Sequence, residues 1–255
     1  MPLSKNTEKY IRSLSQKKFR QLHHRFIGEG DKLVKEILLN QRIKIEILLA
    51  LREWHEENEY LVKSRPLKVQ IVTIKELQRI SQLKTPNQVL VVAEQLATQL
   101  NSDEIKLDWS LYLDRIQDPG NMGTLLRIAD WFDIRTIFCA PNSAEIYNPK
   151  VIQSSMGAFL RVQCIAMNFD HLMEQFPKLP IYATVMNGAS IHHLQNPPKG
   201  LIILGNEGKG IAPEIIAKAT HQISIPRYGN SQMESLNVAV AAGIICANLK
   251  TTKLT

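Results

Sequence analysis

The sequence predicts an α/β protein in which a smaller N-terminal α/β domain, residues 1–98, precedes a domain with a mostly parallel sheet, residues 108–255. Two observations predict this class. From Trp109 onward, short apolar segments alternate with helical patterns, which is typical of a parallel sheet covered by helices. Before it, half-buried strand patterns mix with amphipathic helices, and a polar stretch over 99–108 predicts a linker.

In the first domain, the spacing of apolar residues predicts each element in turn. Ile43, Ile45 and Ile47 alternate with charged residues, as in a strand with one buried face. Thr73 and Glu76 have the spacing of a capping box that opens a helix. The predicted elements are helices over 8–26, 31–40 and 73–83, a turn at 28–30, and strands over 43–47, 67–72 and 88–93.

In the second domain, the predicted strands are 110–113, 136–139, 162–165, 181–185, 201–204 and 222–225. The predicted helices are 121–133, 148–157, 169–176, 212–219 and an Ala-rich closing helix over 236–249. Ligands of parallel sheets bind at the carboxyl ends of the strands. We therefore expect a site in the loops that follow residues 113, 204 and 225.

Composition excludes several classes of protein. Hydrophobic residues make up 44% and charged residues 22%, which is enough apolar material for a core and argues against disorder. No apolar run reaches the roughly 20 residues of a membrane span, and the polar, basic start is not a secretory signal. Cys139, Cys164 and Cys246 are far apart and form no metal-binding pair. We expect a cytoplasmic protein with no structural metal and no membrane partner.

The net charge of +7 lies entirely in the first part of the chain. Residues 1–100 hold 18 Lys and Arg against 11 Asp and Glu, whereas residues 101–255 hold 13 of each sign. Such asymmetry indicates either a polyanion partner such as RNA or a solvated basic helix face. The candidate RNA-binding residues are Lys5, Lys9, Arg12, Lys17, Lys18, Arg20 and Arg25.

The first candidate loop and its helix cover residues 114–132. Asn121 occupies the position of a helix N-cap after the turn residues Pro119 and Gly120. Arg127 follows among apolar neighbours, so its guanidinium needs an anion. That anion belongs either to a substrate or to the protein, in which case Asp130 or Asp114 is the expected partner.

The second candidate loop covers residues 201–211. An apolar strand runs into Gly205, Gly208 and Gly210, with Glu207 among them. The order fits neither the phosphate-binding loop nor the dinucleotide fingerprint. Glycines here allow close approach of the backbone to a ligand, or simply a tight turn.

The third candidate loop covers residues 223–249. A strand ends at Pro226, and Ser235 is placed to cap the closing helix, with Asn237 in its first turn. Ordinary capping and a functional role for these two residues are compatible.

Together the three loops resemble the signature motifs of the SpoU (TrmH-like) branch of the SPOUT RNA methyltransferases. NMGTLLRIA, LGNEGKGI and IPRYGNSQMESLNVAVAAG resemble the first, second and third motifs, and SSMGAFLRV at 154–162 resembles the segment between the first two. The resemblance covers about residues 108–250. The N-terminal domain is more loosely similar to the family's ribosomal-protein-like substrate-binding domain.

The resemblance implies S-adenosylmethionine-dependent 2′-O-ribose methylation of RNA, ribosomal rather than transfer RNA, by a homodimer with a deep trefoil knot. It also implies cofactor contacts by residues of the second and third motifs. These are Leu204, Gly205, Asn206, Gly210, Ile225, Pro226 and Leu236. The segment 227–234 is about two residues longer than the common family form, so no contact is assigned within it. The modified nucleotide is not predicted.

By the same resemblance, Arg127 engages the ribose hydroxyl, either as a base or by positioning and electrostatic stabilisation. Asn121, Glu207, Ser235 and Asn237 complete the predicted catalytic set. The alternative function is a non-catalytic RNA-binding or ribosome-assembly factor on a methyltransferase scaffold. The presence of all five residues favours the enzyme, and the lack of a phosphate-binding loop argues against a small kinase.

Overall fold

A computed structural model describes residues 2–250, which form two compact units. The smaller unit comprises the chain up to Ala97 together with Glu145–Leu160. The larger unit comprises Thr98–Ala144 and the chain from Arg161 onward. The end of the predicted second domain, 251–255, lies outside the described residues. No helix of the described chain is long and apolar enough to cross a membrane.

The smaller unit has a four-stranded mixed sheet with the order β1-β4-β2-β3. Its strands are β1 (Arg25–Glu29), β2 (Ile45–Ala50), β3 (Val69–Ile71) and β4 (Val89–Glu94). Its helices are α1 (Lys5–Ser13), α2 (Lys17–His23), α3 (Asp31–Leu39), α4 (Arg52–Glu57), α5 (Glu59–Lys63), α6 (Ile74–Ile80) and α9 (Pro149–Ser155). β4 runs antiparallel to β1 and β2, while β2 and β3 are parallel. The capping box of α6 is present as predicted.

One long predicted helix of this unit is wrong. The segment 8–26 divides into α1, α2 and the start of β1, because His24 adopts a left-handed conformation that ends α2. The predicted turn at Gly28 is instead part of β1. A Cβ on Gly28 would lie 2.6 Å from Cδ1 of Ile37, so this glycine lets α3 pack closely against the strand.

The segment 145–160 joins the smaller unit through aromatic packing on β1. The ring of Phe26 lies 5.2 Å from that of Tyr147 and 5.5 Å from that of Phe159, and all three side chains are buried. Sequence order alone assigns this segment to the second domain, since it lies between two strands of the larger sheet.

The larger unit has a six-stranded sheet with the order β10-β8-β9-β5-β6-β7, in which every neighbouring pair is parallel. Its strands are β5 (Ser110–Asp114), β6 (Thr136–Cys139), β7 (Gln163–Ala166), β8 (Ile181–Ser190), β9 (Leu201–Gly205) and β10 (His221–Ser224). Its helices are α7 (Ser102–Leu107), α8 (Pro119–Trp131), α10 (Phe169–Gln175), α11 (Pro213–Ala217) and α12 (Val238–Lys250). The predicted α/β class and parallel sheet are confirmed.

Apolar side chains of the central strands form the core of the larger unit. Tyr112, Phe138 and Ile203 are at most 2% exposed and pack with Phe169 and Leu172 from α10. Such continuous apolar strands are expected in a parallel sheet that is buried on both faces.

Some boundaries in the larger unit differ from prediction. Residues 99–108 are not a plain linker, because Asn101 caps a short helix, α7, through a hydrogen bond from the Glu104 N–H at 3.2 Å. β8 extends to Ser190, five residues past its predicted end. A Cβ on Gly188 would lie 2.7 Å from the backbone of Gln222, so glycine permits β10 to approach this extension.

Candidate active site

Three loops of the larger unit begin at the carboxyl ends of β5, β9 and β10. Asp114 and Gly205, the last residues of β5 and β9, are register partners, so their loops leave the sheet side by side. The third loop follows β10, two strands away from β9 in the same parallel sheet. This is the edge at which a parallel sheet is expected to bind its ligand.

A chain of side-chain hydrogen bonds joins the three loops. Nδ2 of Asn121, on α8, donates to Oε1 of Glu207 at 2.6 Å. Nδ2 of Asn237 donates to Oδ1 of Asn121 at 3.0 Å. These residues are 86 and 116 positions apart in sequence, so the fold alone brings them together. Three of the five predicted catalytic residues therefore form one connected group.

The caps of the two site helices differ from prediction. Asp118, not Asn121, caps α8, since its Oδ1 accepts the N–H of Asn121 at 2.8 Å. The closing helix α12 begins at Val238, and Asn237 rather than Ser235 caps it. Ser235 is exposed and makes no hydrogen bond with any described residue.

Asn237 thus has two functions in the structure. Its Oδ1 accepts the N–H groups of Ala239 at 3.0 Å and Val240 at 3.3 Å, which satisfies free donors at the helix start. Its Nδ2 simultaneously holds Asn121. The cap therefore fixes the orientation of the amide that connects the third loop to the first.

Arg127 is exposed and pairs with no acidic group among residues 2–250. Both internal partners that the sequence suggests are engaged elsewhere. Asp130 receives two hydrogen bonds from Nε of Arg161, at 2.9 and 3.0 Å. Asp114 holds Arg115 through two bonds of 2.9 Å. An internal salt bridge for Arg127 is therefore wrong, and its charge is available to an anion from outside.

The loop after β9 is held by Asn206. Its Oδ1 accepts the N–H groups of Gly208 at 3.0 Å and Lys209 at 3.1 Å, while its Nδ2 donates to the carbonyl oxygen of Arg115 at 2.9 Å. A Cβ on Gly205 would lie 2.4 Å from the backbone of Gly210. Glycine is therefore required at position 205, because the chain folds back and its backbone at Gly210 passes too close for any side chain. Glu207 is exposed at the tip of this loop.

Asp114 and Arg115 hold the site loops together in a way that the sequence motifs do not reveal. Asp114 is only 3% exposed, and its Oδ2 accepts the N–H of Ala212 at 2.8 Å, which anchors the end of the second loop to β5. Arg115 has a positive φ of 58°, a conformation that aims its carbonyl oxygen at Asn206. Hydrogen bonding to Asp114 raises the pKa of Arg115 above its ordinary value. An acid at the end of a buried strand is the sequence signal that points to such an anchor.

The residues predicted to contact a cofactor surround the same edge of the sheet. Leu204 is buried, Ile225 and Pro226 are half-buried, and Leu236 is 50% exposed. Half-exposed apolar side chains beside glycine-rich backbone suit a ligand with an aromatic ring, since they can cover the faces of the ring and leave backbone groups for its polar edge.

The predicted RNA-binding residues of the smaller unit fall into two groups. Members of the first group are exposed: Lys5, Lys9, Arg12, Lys17 and Lys18. Members of the second group are engaged by the fold. Arg20 is 2% exposed, its guanidinium pairs with Glu145, and its Nη1 donates to the carbonyl oxygen of Leu14 at 2.9 Å. Arg25 pairs with Glu46 at 2.7 Å and Glu94 at 3.1 Å.

Arg20 is therefore a structural residue, and the positive charge of Arg25 is neutralised by two neighbouring acids. Charge spacing alone does not reveal this, because the acids that neutralise these two residues are distant in sequence. No cluster of three or more potential metal ligands occurs within residues 2–250.

Comparison with family models gives two matches. Residues 108–247 match the SpoU rRNA Methylase family, and residues 5–91 match the MRM3-like substrate binding domain. The boundary between the two matches lies in the segment that contains α7.

Curated proteins with similar sequences include rRNA methyltransferases. The chain is 28% identical over 248 residues to the 23S rRNA (guanosine(2553)-2′-O)-methyltransferase RlmP of Bacillus subtilis, covering 94% of each chain. It is 29% identical over 144 residues to the 23S rRNA (guanosine-2′-O-)-methyltransferase RlmB of Neisseria meningitidis, covering 55% of this chain and 57% of the other.

Solved structures match over the full length. A TrmH-family protein from Porphyromonas gingivalis is 35% identical, with a TM-score of 0.84 and coverage of 98% of this chain and 99% of that chain. An AdoMet-bound rRNA methyltransferase from Sinorhizobium meliloti is 25% identical, with a TM-score of 0.87 and coverage of 100% and 98%.

Proposed function

Because the chain belongs to the SpoU rRNA methylase family, we propose that it transfers the methyl group of S-adenosylmethionine to the 2′-hydroxyl of a ribose in ribosomal RNA. The observation that carries this proposal is the hydrogen-bonded group of Glu207, Asn121 and Asn237, which links all three motif loops. Asn121 lies on α8, the helix that also presents Arg127, and Arg127 pairs with no acid within residues 2–250. A scaffold that had lost catalysis would not need this arrangement of polar side chains.

The cofactor is held by the second and third loops. The residues that would hold it are Leu204, Gly205, Asn206, Gly210, Ile225, Pro226 and Leu236. The partly exposed apolar side chains of Ile225, Pro226 and Leu236 would fit the faces of the adenine ring. The turn between Asn206 and Gly210 is closed by its own backbone hydrogen bonds, so it would present a fixed surface beside the ring. When bound, S-adenosylmethionine supplies an electrophilic methyl group.

Arg127 positions the ribose and stabilises the charge that develops on its oxygen. Guanidinium groups remain protonated in proteins, and no acidic side chain within residues 2–250 pairs with Arg127. Its positive charge therefore suits an RNA phosphate and an oxyanion better than it suits proton abstraction, and the proton of the 2′-hydroxyl passes to solvent as the methyl group is transferred. Asn121 and Asn237 keep the loops in register, and Glu207 fixes the amide of Asn121. Ser235 lines the approach to α12.

The smaller unit contacts the RNA. Lys5, Lys9 and Arg12 line a cavity of about 610 Å³ together with Glu8 and with Arg79 from α6, which pairs with Glu8 at 2.9 Å. Lys17 and Lys18 are exposed nearby in sequence. Lysine and arginine at such a surface neutralise phosphates and release condensed counterions. Residues 1–98 thus carry RNA affinity, and residues 108–255 carry methyl transfer.

The active form is a homodimer through the larger unit. α8 and α12 pack against each other, and large apolar side chains on them remain exposed: Trp131 is 84% exposed, Val240 52% and Ile244 37%. Val240 and Ile244 are four residues apart and share one face of α12. An apolar face of this kind is typical of a buried interface.

Two further properties follow from family membership and composition. By its resemblance to the family, the chain end that includes α12 passes through a deep trefoil knot. The protein acts in the cytoplasm, since all three cysteines are free, as in a reducing compartment.

The test is calorimetry with S-adenosylmethionine, followed by methyl transfer to unmodified ribosomal RNA. Saturable cofactor binding and a 2′-O-methyl product are expected. Cofactor-independent RNA binding with no product would instead support a non-catalytic assembly factor.

A further inference from the structure

The smaller unit contains a cavity of about 390 Å³ to which the proposed reaction assigns no role. β1 contributes Ile27 and Glu29, the segment after α6 contributes Gln82, and α9 contributes Ile152 and Gln153. The volume lies within the range of small-ligand sites, which typically combine apolar walls with a few polar groups.

Two charged side chains line this cavity, Lys150 and Glu29, and the carboxylate of Glu29 is 6% exposed. Oγ of Ser81 donates to its Oε2 at 2.5 Å, and the N–H of Gln82 donates to its Oε1 at 2.7 Å. Burial raises the pKa of Glu29 above its ordinary value. No basic side chain pairs with Glu29 within residues 2–250.

These two bonds leave acceptor capacity on both oxygens. A carboxylate has about four lone-pair sites, and each oxygen of Glu29 uses one of them. The two donors also hold the carboxylate in one orientation. A ligand with two neighbouring donors therefore fits it without rearrangement.

Nucleobases differ in the donors that their Watson–Crick edges offer. Guanine has two adjacent donors, N1–H and N2–H, whereas in adenine, cytosine and uracil each donor lies beside an acceptor that a carboxylate would repel. Bases are recognised in unpaired RNA by such edge contacts combined with contacts to their faces. Ile27 and Ile152, which are 3% and 2% exposed, form the apolar wall of the cavity that would lie against one face of the base.

We propose that this cavity binds an unpaired guanine of the RNA substrate, whose N1–H and N2–H donate to Glu29. The proposal rests on the proposed RNA contact of the smaller unit and assigns it a base-specific component. The basic side chains of α1 contact phosphates and carry no sequence information. Glu29 would supply the sequence information, because its carboxylate would distinguish guanine from the other bases.

The test measures the affinity of the full-length protein for short single-stranded RNAs that differ in one central base. Guanine, hypoxanthine, which lacks the 2-amino group, and uracil are compared in a uridine background by fluorescence anisotropy. The parent should prefer guanine over hypoxanthine by roughly tenfold or more, the value of one hydrogen bond to a charged group. Glu29→Gln should lose this preference and keep its affinity for the all-uridine RNA.

Two variants separate the site from charge and folding effects. Glu53→Gln makes the same change of charge at an exposed position of the same unit and should retain the preference. Gln153→Trp fills the mouth of the cavity from an exposed position, so it should fold and lose the preference even if Glu29→Gln does not fold.

Equal affinity of the parent for guanine and hypoxanthine would overturn the guanine site and leave the phosphate contacts in place. Retention of the preference by both cavity variants would overturn it as well. Failure of the parent to bind any of the three RNAs would overturn it together with the proposed RNA contact of the smaller unit.

Discussion

Asn237 allows the role of the linked loops to be separated from the stability of the closing helix. Asn237→Ala removes both the cap of α12 and the hydrogen bond to Asn121. Asn237→Asp keeps an acceptor for the cap, and its negative charge is favourable at a helix start. It cannot donate to Oδ1 of Asn121, and turning that amide would aim its oxygen at Glu207.

The magnitudes follow from these contacts. Loss of a cap costs about 1 kcal/mol, and an exposed side-chain hydrogen bond contributes at most about 1 kcal/mol more. Asn237→Ala should therefore lower the free energy of unfolding by about 1–2 kcal/mol, or Tm by roughly 2–8 °C. Asn237→Asp loses the same hydrogen bond but keeps the cap and adds a favourable charge at the helix start, so it should lower the free energy of unfolding by at most about 1 kcal/mol. Both variants should lose methyl transfer by roughly a hundredfold, since a misplacement of about 1 Å has that effect.

The assay is single-turnover methyl transfer at a temperature at which all variants are folded, with thermal unfolding measured in parallel. Asn142→Asp, an exposed position in the same unit, is the matched control and should match the parent in both measurements. Asn237→Asp with parental activity would refute the argument, because the link between the loops would then be dispensable. Activity lost only by Asn237→Ala would assign the effect to the cap.

Further predictions concern other parts of the molecule. Arg127→Ala should lose methyl transfer more than a hundredfold with cofactor affinity unchanged in calorimetry; activity within tenfold of the parent, about 1.4 kcal/mol, would remove Arg127 from its role. Reversing the charges of Lys17 and Lys18 should flatten the salt dependence of RNA affinity by roughly 0.7–0.9 log units per lost phosphate contact, and parallel lines would contradict the assignment. Val240→Glu should convert a dimer into a monomer in sedimentation; a parent that is already monomeric and active would exclude the interface. Backbone N–H groups of Thr73 and Leu3 lower the pKa of Glu76, so its stabilising effect is present above the ordinary carboxyl value and lost as the pH falls through the lowered pKa. Glu76→Gln should thus destabilise by about 1–2 kcal/mol at neutral pH and have no effect at strongly acidic pH, and a pH-independent difference would contradict this.

The parallel sheet of the larger unit was predictable because its signal is local. Each strand is a short apolar run and each helix has its own period, as around Tyr112 and Phe138. Membership of the family, predicted from three motifs, is confirmed. The division of residues 8–26 was not predictable, since pairing with β4 outweighs helical periodicity at Phe26.

The candidate site was predictable in composition but not in connectivity. The motifs identify Asn121, Glu207 and Asn237, whereas the hydrogen bonds between them span 86 and 116 positions. The partners of Arg20 and Arg25 were missed for the same reason. The sequence shows which residues are charged, but only the fold shows which of these charges are neutralised by an acid that is distant in sequence.

The most direct test of the central claim is a map of 2′-O-methylation in ribosomal RNA from cells that lack this gene. We expect one ribose to lose its methyl group and to regain it when the parent protein is supplied. Arg127→Ala should fail to restore it. An unchanged set of ribose methyl groups, or restoration of the missing one by Arg127→Ala, would contradict the account.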